Sequence, residues 1–282
     1  MNDPLAVPAP PGHRIDARFV LRAAGRDHGA ALAFVVSREG TLASSAGAWL
    51  SRDEIALLPA PRYERRRHEL VAGRLAAKRA LAHLLPGVDS QGLSILPGAM
   101  GQPVVFGAGV ANVGVSLSHS GEAAVAVAFP EACPVGVDIE TFVVDCEPVL
   151  SRHAGEAERG LMRDAAIGSA LQGLTALWCA KEAMAKLLRC GLAAHGPTLG
   201  VAGVRREGAR LRLDFSGFAG YRAYVAFGAR RCFAIALPPK VEWRSAGMDW
   251  LASPAAWLDA SSEPVPDFDR SDRASEAGAL AT

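Results

Sequence analysis

Two acidic side chains on one short apolar strand are the residues whose spacing points most directly to chemistry. The segment Val-Gly-Val-Asp-Ile-Glu ends at Glu140. Alternate residues of a strand share a face, so Asp138 and Glu140 point the same way while Val137 and Ile139 point into the core. Paired carboxylates repel each other unless a cation compensates, and all-oxygen ligands favour Mg²⁺ or Mn²⁺ over zinc. We predict a divalent-metal site here, with Gly136 admitting a ligand close to the backbone; the alternative is a strand end with two solvated acids.

A helix later in the chain supplies a third acid and two lysines. The segment reads Trp-Cys-Ala-Lys-Glu-Ala-Met-Ala-Lys from Trp178 to Lys186. Residues four apart share a helix face, so Trp178, Glu182 and Lys186 form one stripe, with a third acid for the metal and a cation for phosphate. The alternative is a surface i,i+4 ion pair of Glu182 and Lys186. Lys181 falls on the apolar side of the helix instead, where a lysine has to reach solvent or meet a charge.

Two other segments carry groups that bind phosphate. Ser118 and His119 lead from a strand into a polar turn, where hydroxyl, imidazole and backbone N–H groups together favour an anion. Arg66 and Arg74 lie on nearly one face of a predicted helix, where two guanidinium groups can hold a phosphate dianion. The alternatives are a hairpin turn with a surface histidine and a solvated helix face.

The composition narrows the classes of protein that this chain can be. It has 282 residues, half of them hydrophobic, and a net charge of +1, which gives no whole-molecule case for nucleic acid binding. The 5 cysteines include no CxxC pair, so neither a disulfide framework nor a zinc site is expected. No apolar run reaches membrane-spanning length and the N-terminus lacks a signal pattern, so we expect a cytoplasmic protein. P-loop, GxSxG, HExxH and dinucleotide-binding motifs are absent.

The hydrophobic pattern predicts a long helix followed by several short strands, and it predicts this order twice. Helices are predicted at 51–59, 62–85, 156–166 and 175–190, and strands at 31–37, 93–96, 103–106, 113–118, 123–129, 135–140, 199–204, 211–215, 221–227 and 232–237. The repeated order predicts an α+β fold made of a duplicated unit, each half a long helix packed on a small, mainly antiparallel sheet.

The same pattern divides the chain into four parts. We predict an irregular N-terminal extension (1–28), a first half (29–141), a second half (142–240) and an acidic, partly disordered tail (241–282). In the tail Trp243, Trp250 and Trp257 recur every seven residues, and Ser253-Pro254 is able to start a short helix that docks on the body.

Taken together, the motifs resemble those of the 4′-phosphopantetheinyl transferases. Ser118-His119-Ser120, the acidic strand ending at Glu140, and the helix from Trp178 to Lys186 occur in the order and spacing of that family. The length is similar to that of the larger, monomeric Sfp-type class, and Arg67 to Ala77 is similar to the helix of its enterobactin-type branch. The resemblance implies a pseudo-twofold pair of α+β halves and covers roughly residues 50–240.

The resemblance also implies an activity and a set of roles. The family moves phosphopantetheine from coenzyme A to a serine of an apo acyl or peptidyl carrier protein, with Mg²⁺, and leaves adenosine 3′,5′-bisphosphate. The implied partners include neither nucleic acid nor membrane. The implied roles are metal binding by Asp138, Glu140 and Glu182, proton removal from the serine by Glu182, pyrophosphate contact by Lys186, coenzyme A phosphate contacts by Ser118 and His119, and a 3′-phosphate site at Arg66 and Arg74.

One position departs from the family pattern. The usual Gly-Lys-Pro is here Gly101-Gln102-Pro103. By resemblance, the backbone at Gln102 is still able to line the adenine site, but the charge of a lysine near the 3′-phosphate is absent. Two alternatives to a transferase stay open: a catalytically silent scaffold that binds coenzyme A or a carrier protein, and an unrelated metal-dependent phosphohydrolase.

Overall fold

Two five-stranded antiparallel sheets, each covered by a long helix, make up most of the described chain. A computed structural model describes residues 13–42, 46–89, 91–165, 167–191, 196–244 and 253–260. The predicted α+β class is confirmed. None of the helices in these ranges is long and apolar enough to span a membrane.

The first unit contains the first long helix and the strands around it. Its elements are β1 (His13–Ala23), β2 (Arg26–Val36), α1 (Arg52–Ala56), α2 (Glu64–Leu84), β3 (Ser94–Pro97), β4 (Pro103–Phe106), β5 (Val113–Ser120) and β6 (Ala123–Pro130). With a late strand, β12 (Val241–Trp243), the sheet has the order β12-β1-β2-β6-β5, while β3 and β4 form a separate pair next to β5.

The second unit repeats the order of a short helix, a long helix and strands. Its elements are β7 (Gly136–Thr141), α3 (Glu147–Arg152), α4 (Glu156–Asp164), α5 (Ala170–Leu188), β8 (Val201–Glu207), β9 (Arg210–Phe215), β10 (Arg222–Phe227), β11 (Arg231–Leu237) and α6 (Ala255–Leu258), the last after β12. The sheet order is β7-β11-β10-β9-β8, and α5 packs on β7 and β11.

The two sheets pack face to face, and each long helix covers the outer face of its own sheet. Alternation along β2 shows the arrangement, because side chains of a strand point to opposite faces in turn. Leu32, Phe34 and Val36 belong to the core between the sheets, whereas Ala33 and Val35 belong to the core under α2. Strand β7 follows the same rule: Val137 and Ile139 belong to the core between the sheets, so Asp138 and Glu140 lie on the face under α5.

The predicted irregular extension over residues 1–28 is wrong from His13 onward. Strand β1 pairs along its whole length with β2. Phe19 and Leu21 are buried between the sheets and Ile15 packs beside them. The period-2 signal is present in the sequence, but intervening charged residues such as Asp16 make the strand look polar overall.

The predicted boundaries at 141 and 240 are also corrected. Strand β7 was assigned to the first half, yet it pairs with β11 of the second sheet. Strand β12 was assigned to the tail, yet it pairs with β1 in the first sheet. Both errors have one cause: the pairing partner is distant in sequence, and hydrophobic periodicity carries no information about partners.

Part of the predicted tail belongs to the body. Trp257 in α6 is buried between the sheets, with its ring 5.0 Å from that of Phe34 and 5.4 Å from that of Phe233. The predicted helix start at Ser253-Pro254 is confirmed, since Pro254 is the N-cap residue of α6. Trp250 and the stretch after residue 260, for which disorder was predicted, lie outside the described residues.

Candidate functional site

The acidic strand β7 lies directly against helix α5, and a glycine permits this contact. A Cβ atom at Gly136 would overlap the Ala183 carbonyl oxygen and lie 2.6 Å from the Leu187 backbone nitrogen. Only a residue without a side chain lets strand and helix approach this closely. The prediction that Gly136 admits a ligand is wrong, because the helix backbone already fills the space.

The carboxylate of Asp138 receives two hydrogen bonds on one oxygen. The residue is only 2% exposed. Ser118 Oγ donates to Oδ1 at 2.6 Å, and Lys186 Nζ donates to the same atom at 2.6 Å. The other oxygen, Oδ2, is buried without a hydrogen-bond partner among the described residues. A buried carboxylate oxygen with unused lone pairs is a favourable place for a further donor or a cation.

Glu140 points to the same side of β7 and is held by two donors. Trp178 Nε1 donates to Oε1 at 3.0 Å, and Ser120 Oγ donates to Oε2 at 3.1 Å. The pKa of Glu140 is raised to about 7, first because burial disfavours the charged carboxylate and then because Asp138 is close. The two acids of the strand therefore repel each other, as their spacing predicted.

Helix α5 carries the third acid and the lysine over the same strand. The pKa of Glu182 is raised by burial and by Asp138, whereas the charge of Lys186 lowers it. Because Lys186 contacts the buried Asp138, the alternative of a purely exposed ion pair with Glu182 does not hold. Trp178 and Lys186 each bond to an acid of β7, as expected for residues on one helical stripe.

The three carboxylates do not enclose a preformed metal cage. In the ranges that the structure describes, no group of three His, Cys, Asp or Glu side chains is arranged to hold a metal ion. The positive charge next to Asp138 is that of Lys186.

A cavity of about 240 Å³ opens beside Lys186, between the two units. Ser116 and Leu117 of β5 line one side of it, and the turn between β3 and β4 lines another. Gln102 lies in that turn, where its Oε1 accepts a hydrogen bond of 2.9 Å from the Met100 backbone N–H. The amide oxygen of Gln102 is thus used within its own turn.

A second cavity, of about 420 Å³, brings together three predicted phosphate ligands. Arg66, Arg74 and His119 all line it, and Leu117 lines both cavities, so the two adjoin. Arg74 Nε is buried without a hydrogen-bond partner in the described part of the chain and lies 4.0 Å from Glu54 Oε1. Gln102 does not join this group, because it lines the first cavity.

Ser118 and His119 are adjacent in sequence but face different surroundings. The hydroxyl of Ser118 is directed at Asp138, under α5. His119 lines the second cavity and keeps part of its side chain exposed. Its pKa is lowered, first because the surrounding protein displaces some of the water near the ring; Glu69 opposes this effect, and the charge of Lys186 adds to it.

A row of three serines on β5 was missed at the sequence level. Ser116 Oγ accepts from the Val137 N–H at 2.9 Å, and Ser120 Oγ accepts from the Thr141 N–H at 3.0 Å. Between them Ser118 donates to the Asp138 side chain. These hydroxyls join strands of two different sheets and orient both acids. The signal was the i, i+2, i+4 spacing, which places all three on one face of the strand.

Comparison with known proteins agrees with this geometry over part of the chain. No curated protein matches the sequence. The matching family model covers about a third of the chain, from the loop before β7 through α5 and into β10. It includes Asp138, Glu140, Glu182 and Lys186, and it leaves out β5 and the arginines of α2. Residues 134–226 thus match the model of the 4′-phosphopantetheinyl transferase superfamily.

Proposed function

We propose that the protein transfers 4′-phosphopantetheine from coenzyme A to a serine of an apo carrier protein, with Mg²⁺, and releases adenosine 3′,5′-bisphosphate. The observation that carries the proposal is the ion pair of the buried Asp138 with Lys186, because Lys186 also lines a cavity that shares Leu117 with an arginine-lined one. Acids for a metal and cations for several phosphates are the parts that such a transfer needs.

The chemistry of the acidic residues suits a hard divalent cation, although in the described residues their side chains are not yet arranged as a three-ligand site. Asp138 Oδ2 is an unused buried acceptor, and Asp138 raises the pKa of both Glu140 and Glu182, so added positive charge would be favourable. The proposed ligands are Asp138, Glu140 and Glu182, all through oxygen, which suits Mg²⁺ and also Mn²⁺. Bound there, the cation would neutralise negative charge on the pyrophosphate.

Coenzyme A would lie across the two adjoining cavities. Lys186 lines the first and is proposed to contact the pyrophosphate; Gln102 also lines it and is proposed to lie beside the adenine. Arg66 and Arg74 line the second and are proposed to hold the 3′-phosphate, with His119 beside them. Arg74 Nε, buried and without a hydrogen bond in the described residues, supports this placement because an anion would supply its missing acceptor.

Glu182 is the proposed base. A raised pKa makes a carboxylate a better proton acceptor near neutral pH. It takes the proton of the carrier serine as the serine oxygen forms a bond to the phosphorus that bears pantetheine. The bond from that phosphorus to the bridging oxygen breaks, and Lys186 stabilises the charge on the departing bisphosphate.

The partner is proposed to be an acyl or peptidyl carrier protein. The enzyme is further proposed to act as a cytoplasmic monomer of the Sfp-type class with features of the enterobactin-type branch. These assignments come from the motif resemblance described above.

The test is intact-protein mass spectrometry of a panel of apo carrier proteins incubated with coenzyme A and Mg²⁺. We expect at least one carrier to gain phosphopantetheine, with no gain when EDTA is present or when the acceptor serine is replaced by alanine. An unmodified panel, with a folded protein that still binds coenzyme A, would identify a scaffold. Release of inorganic phosphate from a simple ester without any acceptor would identify a phosphohydrolase.

A further inference from the structure

Lys181, the lysine of the segment from Trp178 to Lys186 that no step of the proposed reaction uses, has all its N–H donors engaged inside the protein. The residue is 4% exposed. Its Nζ lies 2.8 Å from Glu158 Oε1 and 2.9 Å from Oε2, and it donates to the His153 carbonyl oxygen at 2.8 Å. An ammonium group has three N–H donors, so Lys181 has no donor left for a phosphate.

Glu158 extends this contact to two more elements. It occupies the third position of α4, where Oε2 accepts from the Gly155 N–H at 2.7 Å, and Oε1 accepts from the Val201 N–H of β8 at 2.8 Å. The pair of Glu158 and Lys181, the second ion-pair cluster, therefore fixes α5 to α4 and to β8.

The first unit contains the same arrangement. Lys78 Nζ of α2 lies 2.8 Å from Glu54 Oε2 and donates to the Leu93 carbonyl oxygen at 2.6 Å. Glu54 occupies the third position of α1 and accepts from the Ser51 N–H at 2.8 Å and the Ile95 N–H at 3.1 Å. Glu54 and Lys78, the first ion-pair cluster, thus repeat the second in helix position and in hydrogen bonding.

The two clusters differ in what lies next to them. Beside the second, the ring of His153 contacts Trp178 edge-on at 5.0 Å, and Trp178 Nε1 bonds to Glu140. Beside the first, Glu54 Oε1 lies 4.0 Å from Arg74 Nε. One cluster is therefore connected to an acid of β7, and the other to an arginine of the second cavity.

We infer that the two ion-pair clusters are positioning devices for two different parts of one site: the second orients Glu140 through His153 and Trp178, and the first orients Arg74. The inference rests on the proposed function for its kinetic consequences. Glu140 belongs to the group-transfer end of the site and Arg74 to the coenzyme A phosphate end. Loss of the second cluster should therefore lower kcat, and loss of the first should raise KM for coenzyme A.

The experiment uses matched double variants of the full chain. A single lysine substitution leaves a buried carboxylate unpaired, whereas Lys181→Met with Glu158→Gln, and Lys78→Met with Glu54→Gln, remove both charges of a cluster together. We expect the second-cluster variant to lose about tenfold or more in kcat with little change in KM for coenzyme A. The first-cluster variant should show the reverse pattern.

A readout that needs no turnover accompanies the kinetics. The indole N–H resonance of Trp178, assigned by its loss in Trp178→Phe, reports the hydrogen bond to Glu140. It should shift in the second-cluster variant and stay in place in the first-cluster variant. If the wild-type protein modifies no carrier, the proposed function fails, and the indole resonance still decides whether the second cluster positions Glu140.

Trp178→Phe covers the case in which a double variant does not fold. It breaks only the link to Glu140, so it should lose kcat to a degree similar to the second-cluster variant, and combining the changes should add little. Equal effects of both clusters on one kinetic parameter would overturn the inference. So would an unchanged indole resonance with normal kcat and KM in folded variants, since the clusters would then serve stability alone.

Discussion

At the scale of single residues, the positive charge of Lys186 is available to two negative groups: the Asp138 carboxylate and the pyrophosphate proposed to bind in the first cavity. Its ammonium group bonds to the buried Asp138 and also lines the first cavity, where the pyrophosphate is proposed to lie. An ammonium has three donors, so contact with Asp138 leaves others for a ligand. Its distance to the acid is short because Gly136 lets α5 approach β7 without an intervening side chain.

Replacing Lys186 by methionine leaves the buried Asp138 without its cation and should cost stability, so turnover is compared per folded molecule. We expect kcat for transfer to fall by about 100- to 1000-fold, the range for loss of one preorganised charge contact. The matched control is Lys240→Met, because Lys240 is exposed and lines neither cavity. Normal kcat for Lys186→Met in a carrier-modification assay would remove this residue from the reaction.

The raised pKa of Glu140 predicts that the free energy of unfolding of the metal-free protein depends on pH. Its folded-state pKa, about 7, lies above the ordinary carboxyl value of 4.5, so between these values the folded state binds more protons than the unfolded state. Stability is therefore lost as pH rises through this window. Glu140→Gln removes the free-energy cost of a buried, charged carboxylate beside Asp138. The variant should therefore be more stable than wild type at pH 8, by at most about 3 kcal/mol, but not at pH 4, where Glu140 is largely protonated in both states.

Urea unfolding in EDTA across this pH range measures the effect. Glu156→Gln is the control of opposite sign, because hydrogen bonds from Arg159 and Arg163 lower the pKa of the exposed Glu156 carboxyl. A stability gain from Glu140→Gln that does not vary with pH would mean that Glu140 does not titrate in this window.

At the scale of elements, the contact between α5 and β7 determines the site. Helix α5 packs chiefly on β7 and β11, and the helix-facing side of β7 carries both acids. At Gly136 the backbone of α5 lies directly against the backbone of β7, with no side chain between them. A small change there should alter the distance between Lys186 and Asp138.

Gly136→Ala is the corresponding prediction. The added methyl group would overlap the Ala183 carbonyl oxygen, so α5 has to shift, and overpacking of this kind costs about 1–3 kcal/mol or more. Transfer activity should fall further than the fraction of folded protein does. Gly160→Ala in α4 is the control, since its Cβ would meet only a flexible arginine end at 3.8 Å and should stabilise the helix. Equal activity in both variants at matched folding would contradict the argument.

The sequence predicted the helices and strands of this contact better than their ends or partners. Helix α5 begins at Ala170 rather than Thr175, although Ser169 and Gln172 form a capping box that the sequence displays. The pairing of β7 with β11 joins residues nearly a hundred positions apart, and such pairing is decided by the packing of the whole core. Local patterns alone do not contain that information.

The candidate site was predicted unevenly for a related reason. Asp138, Glu140 and Lys186 meet because strand and helix periodicity each place their side chains on one face. Gln102 and Arg74 line different cavities. This depends on where the turn between β3 and β4 lies in the fold, and hydrophobic periodicity does not specify the position of a turn. Lys181 was expected either to reach solvent or to meet a charge; it meets Glu158, which the sequence did not identify.

At the scale of the whole molecule, helix α6, the last helix in the described residues, packs into the core between the sheets. Trp257 contacts Phe34 of the first sheet and Phe233 of the second, so one side chain packs on both units. All candidate site residues lie upstream of it. Stability and chemistry should therefore separate in this region.

Trp257→Ala should cost about 3–5 kcal/mol of unfolding free energy, because it empties a fully buried volume. The rate of transfer per folded molecule should stay near the wild-type value. Trp243→Ala is a milder control, since Trp243 is only partly buried and packs at a tilt against Tyr224, with ring centroids 4.1 Å apart. Urea unfolding gives the first quantity, and initial rates at low temperature give the second. Loss of turnover in fully folded Trp257→Ala would show that the core between the sheets sets the site geometry.

The serine row on β5 forms a joint between the two units, made of hydrogen bonds to β7, and amide hydrogen exchange can detect its opening. The Val137 and Thr141 amides are bonded to serine hydroxyls across the joint, whereas those of β11 are bonded within one sheet. If the units part before either unfolds, the first two amides exchange faster than their neighbours in the second sheet. A ligand in the first cavity touches residues from both sides of this joint, so it should slow those two amides in particular. The exchange rates of these two amides would then report both the separation of the two units and its suppression by bound substrate.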